Sequence, residues 1–381
     1  MDCTVQTILQ KYFANYCHGK TLPPHHYHAA NKLTRCRTAA LGGHVQRCPD
    51  NHVSGVWYNS CKHRSCPQCN QIQIERWLQK QKSRLINTAH YHIIFTLPHE
   101  LNIFWLHHPN TLTQYFFKSV KETLLTLTND PQFIGATPGL ICALHTWGRS
   151  LCLHPHIHCL ITAGGLDHSN QWQTNKKNIF IPVRVLRRLF TQKFLAEVFK
   201  LLNSDSLPLP KDTTVPRIKP LYKKKWNIKV EPCYAQGNGL ATYLARYVRG
   251  GPIRNTQLQS TVRDKIRVRY LDHATGKQTT ITYEQSRFIQ LLLMHVPDKR
   301  KKVVRSYGLY ASSKRTQLNV AREHWKQAPV IEDDFLTWQD YMQQLPKANM
   351  AHLCPQCGKA LIGAEVLKPI RASPTNTQYM N

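Results

Sequence analysis

The segment HPHIHCLITAGG at residues 154–165 carries the residue types that most directly suggest chemistry. Its apolar run closes at Gly164-Gly165 and reads as a strand, in which successive side chains alternate between two faces. His156 and His158 therefore project the same way, and Ile157 points into the opposite layer. Two imidazoles on one rigid strand can hold a divalent ion, which then needs a third protein donor. His145 lies eleven residues upstream of His156 on a preceding strand, and a hairpin through 148–153 would lay it alongside. His154 shares the parity of the pair and competes for the same role. Neutral imidazole suits transition metals. Phosphate chemistry also admits Mg²⁺ or Mn²⁺, completed by water and substrate oxygens. An ion so held would polarise a phosphate as a Lewis acid.

A nucleophile to match is offered by GLATYLARYVRG at 239–250. Tyr243 and Tyr247 are four apart and share a helix face. Leu240, Leu244 and Val248 fall on nearly the same stripe, so the spacing alone also fits two plain core rings. Arg246 and Arg249 accompany the tyrosines, and the glycine-containing Gln236-Gly237-Asn238-Gly239 precedes them, which favours the nucleophile. A phosphotyrosine conserves the energy of the broken phosphodiester for rejoining, where hydrolysis would waste it. Two tyrosines permit two strand transfers without release of the DNA.

The charge names the substrate class. Lys and Arg total 51 against 21 Asp and Glu, a formal net charge of +30. The excess recurs along the chain, at 184–193, 219–229, 263–269 and 299–305, with Lys223-Lys224-Lys225 as its densest run. A surface of this kind binds polyanions, nucleic acid first, by counterion release. No apolar run approaches the roughly 18–20 residues that span a bilayer. The opening MDCTVQTILQKYF lacks a basic stretch followed by an apolar core, so no membrane partner and a cytosolic location are expected.

In that compartment the 13 cysteines read as thiols or metal ligands rather than disulfides. Cys66-Pro-Gln-Cys69 is a knuckle suited to tetrahedral Zn²⁺, and Cys48 with His52 can supply the other pair. Cys61, Cys36, His44 and His63 are further ligands, enough for a second ion. Late in the chain, Cys354-Pro-Gln-Cys357-Gly358 is half a zinc ribbon, with His352 nearby and no second CxxC after it. It either borrows ligands from elsewhere or is a remnant.

The elements that must position these groups follow from periodicity. Helices are expected over 3–18, 71–86, 111–128, 186–202, 239–248 and 283–296, that over 71–86 being polar, and strands over 90–98, 140–147, 154–163 and 226–234. Residues 36–69 have little apolar periodicity and would fold around metal. The stretch 204–225 holds four prolines and reads as a basic loop or insertion. Strands and helices alternate without strict βαβ spacing, which favours an α+β domain with an antiparallel sheet. The expected domains are a zinc-binding module at 1–86, a catalytic domain at 87–310 and a C-terminal tail at 311–381.

These residues resemble the two-tyrosine HUH transposases of the insertion sequence 91 family, where HUH denotes His-hydrophobic-His. The resemblance rests on CRTAALGGHVQRC (36–48), YNSCKHRSCPQCNQ (58–71), HIIFTLPHELN (92–102), LHTWGRSLCLHPHIHCLITAGG (144–165), YLARYV (243–248), LLMHVPDK (292–299) and CPQCG (354–358), in order along the chain. It implies an N-terminal zinc-binding domain and an HUH fold, a central antiparallel sheet flanked by helices, with the histidine pair on a central strand and the tyrosine helix beside it. It also implies nicking and rejoining of single-stranded DNA at transposon ends through 5′-phosphotyrosine links that leave a 3′-OH. Two positions depart from the family pattern: Asn51 and His52 stand where a second knuckle cysteine is usual, and Ser65 where histidine is usual. Plasmid replication initiators and relaxases share the two catalytic motifs, and a zinc-containing DNA-binding regulator would share the charge and the cysteines.

Overall fold

The computed structural model describes residues 3–174, 180–211, 213–214, 217–232, 251–260, 265–272, 275–330 and 353–370. The chain opens with α1 (Val5–Cys17), α2 (Pro24–Thr34), β1 (Gly43–Arg47), β2 (Ser54–Tyr58) and α3 (Gln71–Lys82). It continues through β3 (His90–Thr96), α4 (Asn102–His107), α5 (Pro109–Asn129), β4 (Thr137–Trp147), β5 (Leu153–Leu166), β6 (Trp172–Thr174), α6 (Val183–Asn203) and β7 (Ile228–Val230). The remaining elements are β8 (Leu258–Ser260), β9 (Ile266–Leu271), β10 (Gln278–Tyr283), α7 (Gln285–Met294), β11 (Val304–Gly308), α8 (Arg315–His324) and β12 (Ile362–Leu367).

The central sheet has the order β11-β4-β5-β3-β7, with β6 added beside the far end of β5, and every pairing is antiparallel. This is the α+β class expected from the sequence. Helices cover both faces, so the strands alternate between two apolar layers rather than between core and solvent. Leu140, Cys142, Leu144, Ile157, Cys159 and Ile161 enter the larger core with α5 and α6. Ile141, Ala143 and Leu160 face the other way, against Ile74 and Leu78 of α3 and Leu318 and Ala321 of α8. Phe116, Phe190 and Phe194 pack at centroid distances of 5.8–5.9 Å in the larger core, each contributing about 1.5–3 kcal/mol by burial. Local signals set the helix starts: Thr4 and Thr7 form a capping box on α1, and Pro24 and Pro109 stand in the first turns of α2 and α5, where a missing N–H costs nothing.

Two stretches with weak periodicity are packed into the fold. The described residues of 204–225 are loop and a short 3-10 turn, as the prolines suggest, yet Leu207, Ile218 and Leu221 are buried in the larger core, and the Trp226 indole N–H donates to the Leu221 carbonyl at 2.9 Å. The apolar residues of this stretch are interspersed with prolines, which interrupt the periodicity that marks a packed element. Among the described residues of 311–381, α8 packs on the sheet and β12 pairs with β1.

A third core joins the N-terminal module to a later part of the chain. α1 and α2 pack with Leu258, Ile266 and Val268 of the small β8-β9-β10 sheet and with α7. Leu151, at the tip of the β4–β5 hairpin, plugs into the same core at a φ of 61°. His295 follows α7 and ties to that tip, donating from Nε2 to the Leu151 carbonyl at 2.9 Å while Nδ1 accepts from the Thr146 hydroxyl at 3.0 Å. Burial lowers its pKa from 6.5 to about 4. The folded state therefore favours neutral His295. This contribution is complete above about pH 6.5 and is lost as pH falls through about 4, an effect on the order of 3 kcal/mol. A His295→Gln variant keeps hydrogen-bonding capacity without a titrating ring. Its unfolding midpoint should rise relative to the parent chain as pH drops from 7 to 4, and a constant difference across that range would refute the assignment.

Candidate metal centre and zinc module

The β4–β5 register sets His145 directly opposite His156, with His158 opposite Ala143. One ring nitrogen from each of His145, His156 and His158 lies within 4.8 Å of the others. His145 and His158 are buried and His156 is half-buried. His154 is exposed and stands outside this group. Its backbone carbonyl accepts a 2.7 Å bond from His156 Nδ1, which puts the lone pair of that imidazole on Nε2.

Residues that the sequence reading did not assign complete the surroundings. His92 on β3 shares a 2.9 Å hydrogen bond, Nε2 to Nδ1, with His158. Its signal was present in the HYH of 90–92, a second alternating pair read only as part of a buried strand. Trp147 stacks on His145 at 4.8 Å between ring centroids and 14° between planes. Burial shifts the protonation of these rings. It lowers the pKa of His156 and of His92 to about 4, and it drives His158 well below 6.5 with help from the neighbouring His145 and His156. Neutral imidazoles are the form that ligates metal. Three of them on adjacent strands make a donor set that would leave the rest of a divalent ion's coordination to water or substrate oxygens.

The remaining predicted residues are distributed as follows. Tyr243, Tyr247, Arg246 and Arg249 lie outside the described residues. Lys223, Lys224 and Lys225 are exposed, and Lys224 pairs with Glu100. Cys36, Cys61, Cys66 and Cys69 converge as one four-sulfur group, all buried. The Sγ–Sγ distances are 3.6 Å for both Cys36–Cys66 and Cys61–Cys69, close to the roughly 3.8 Å that tetrahedral Zn–S bonds of about 2.3 Å require. Cys48 and His52 do not complete this group, contrary to the expected pairing. They lie instead beside Cys354 and Cys357. Spacing within the knuckle could not reveal that partner, which comes from more than 300 residues away.

Comparison with known proteins agrees with the zinc module. A family described as "Transposase zinc-binding domain" matches residues 8–97, and one described as "Putative transposase" matches residues 139–317. "Putative transposase y4qJ" of Sinorhizobium fredii is 32% identical over 292 residues, covering 74% of this chain and 73% of that protein. The chain belongs to the insertion sequence 91 family of transposases. "Transposase for insertion sequence element IS801" of Pseudomonas savastanoi pv. phaseolicola is 28% identical over 297 residues, covering 74% of this chain and 69% of its own. No solved structure gives a significant match.

The transposase thus acts on DNA and carries a zinc-binding domain whose Cys₄ cluster sits inside a hydrophobic core. Among the described residues no helix is long and apolar enough to cross a membrane. A closed four-sulfur site of this kind is structural and contributes folding energy directly. Because Leu151 and α7 share the surrounding core, its loss reaches the hairpin that carries His145 and His156. Zinc removal by a strong chelator should lower the unfolding midpoint by at least 10 °C and expose α1 and α7 amides to hydrogen exchange. An unchanged midpoint in the stripped protein would exclude a structural role.

Proposed function

We propose that this transposase nicks and rejoins single-stranded DNA at transposon ends in a rolling-circle reaction. In this reading His145, His156 and His158 hold Mg²⁺ or Mn²⁺, and Tyr243 and Tyr247 are the nucleophiles. The bound ion would supply Lewis-acid polarisation of the scissile phosphate. The tyrosine oxygen attacks phosphorus, the bond to the 3′-oxygen breaks, and that oxygen takes a proton to leave as a 3′-OH. The product is a 5′-phosphotyrosine, and attack by a 3′-OH on it restores a phosphodiester and returns the tyrosine. Buried, neutral imidazoles support the first assignment, because a divalent ion competes with no proton for them near neutral pH.

The observation that carries the reading is where the tyrosine-bearing stretch leaves and rejoins the described fold. It departs after β7, where the Glu231 amide donates to the His92 carbonyl at 2.9 Å. It returns at Gly251, in the wall of a cavity of about 360 Å³ that Trp147, His26, Trp105 and Lys301 also line. The Glu231 end meets His92, whose ring bonds His158, and the Gly251 end lines the same cavity as Trp147, which stacks on His145. The return point is held by the zinc module itself. A Cβ at Gly251 would come within 2.8 Å of the Ser65 carbonyl, one residue before Cys66, so only glycine lets the two backbones meet there. Aromatic and cationic groups in this cavity suit an unpaired base and its phosphate, and the +30 charge supports DNA binding over the wider surface. The cysteines of the described residues form no disulfide and most of them converge in metal-binding groups, which supports a reducing, cytosolic setting for the reaction.

Two measurements test the proposal. Labelled single-stranded DNA incubated with the protein and Mn²⁺ should give a protease-sensitive band of retarded mobility on a denaturing gel. That band should vanish in the Tyr243→Phe/Tyr247→Phe double variant while DNA binding persists, and an adduct surviving in it would refute the nucleophile assignment. Separately, His92→Ala should weaken Mn²⁺ binding by about 10–100-fold in calorimetry by releasing the His158 ring. Parent-like affinity would show that His92 does not position that ligand.

A further inference from the structure

The C-terminal Cys354-Pro-Gln-Cys357 has a partner. Cys48 Sγ lies 3.5 Å from Cys357 Sγ and 3.7 Å from His52 Nδ1, and Cys354 Sγ lies 3.9 Å from the same Nδ1. All four ligand atoms fall within 4.8 Å of one another. A tetrahedral zinc with bonds of about 2.3 Å to sulfur and 2.0–2.1 Å to nitrogen sets S···S near 3.8 Å and S···N near 3.6 Å. A disulfide would need about 2.05 Å. A hydrogen-bonded thiol pair would account for one contact but not for four converging donors. The Cys142–Cys159 pair, 3.4 Å apart across β4 and β5, shows the contrast, for it joins no such group.

The backbone around these residues is shaped for ligation. After Cys48 the chain turns through Asn51, at a φ of 60°. The Asp50 amide donates to Cys48 Sγ at 3.4 Å, and the Asn51 amide donates to the Cys48 carbonyl at 2.9 Å. After Cys354 it turns through Gly358, at a φ of 72°, whose amide donates to the Cys354 carbonyl at 2.9 Å. Two knuckles from opposite ends of the chain thus face each other.

The adjoining strand needs such a site. β12 pairs with β1 from Gly43↔Leu367 to Arg47↔Ile362, with a bulge at Val45/Gln46. Nearly all of β12 is exposed, Val366 to 80% and Ile362 to 54%, so apolar burial does not hold it. The Lys359–Asp50 ion pair at 2.8 Å is solvent-exposed and worth at most about 1 kcal/mol. A three-stranded sheet without a buried face is marginal in water.

We infer that Cys48, His52, Cys354 and Cys357 form a second zinc site, separate from the Cys₄ cluster, and that coordination there docks β12 onto the N-terminal module. The site ties residue 48 to residue 354 and makes the zinc-binding module a two-ended structure. Elemental analysis of the purified full chain should find two zinc ions per polypeptide, and the Cys354→Ser/Cys357→Ser variant should hold one. With cobalt substituted, the parent spectrum should be the sum of an S₄ and an S₃N site, and the variant should keep only the S₄ part. Hydrogen exchange of the β1 and β12 amides should be slow in the parent and at least tenfold faster in the variant. One zinc in the parent, two in the variant, or unchanged β12 exchange would overturn the proposal. Loss of both ions in the variant would overturn the separateness of the two sites.

Discussion

The antiparallel pairing of β4 with β5 is the constraint on which the candidate centre rests. Its register opposes His145 to His156. A slip of one residue would send the imidazoles into the phenylalanine-rich core and bring Ile157 and Cys159 into their place. The sheet resists that slip because both faces are buried, so each residue parity is committed to a different layer. The ring protonation states are a consequence of the same burial. Packing removes water from His92, His156 and His158, and dehydration penalises the charged imidazole more than the neutral one.

The second organising interaction is the joint core of the zinc module, the hairpin tip and α7. Four cysteines occupy space that apolar side chains would fill in a larger module, and the surrounding aliphatic side chains come from residues as distant as Val5 and Val296. Leu151 accepts a left-handed backbone to enter that core, and its carbonyl receives His295. The zinc module is therefore continuous with the scaffold of the histidine group. It also touches the chain at Gly251, where the tyrosine-bearing stretch returns. A candidate centre assembled from distant segments needs such bracing, because the positions of reacting groups matter at the scale of an ångström.

Some features were legible because they depend on local periodicity. Parity along 154–158 put two imidazoles on one face, the turn at 148–153 offered His145, and the apolar stripes of α5 and α6 marked two long helices. The buried residues of 204–225 were not legible, since prolines break the pattern that announces packing. The role of His92 depends on a neighbouring strand, β3, that lies beside β5 and not next to it in sequence.

By itself the sequence determined the donor types, the parity of the histidines, the charge that selects a polyanion and the family to which those motifs belong. These are properties of residue identity and short spacing. Only the tertiary structure decided which donors meet. It chose His145 over His154, gave Cys66 and Cys69 to Cys36 and Cys61, and brought Cys354 and Cys357 to Cys48 and His52. The reason is physical. Ligand sets depend on the distances between atoms of remote segments, and those distances follow from sheet register and core packing, which no short spacing in the chain encodes.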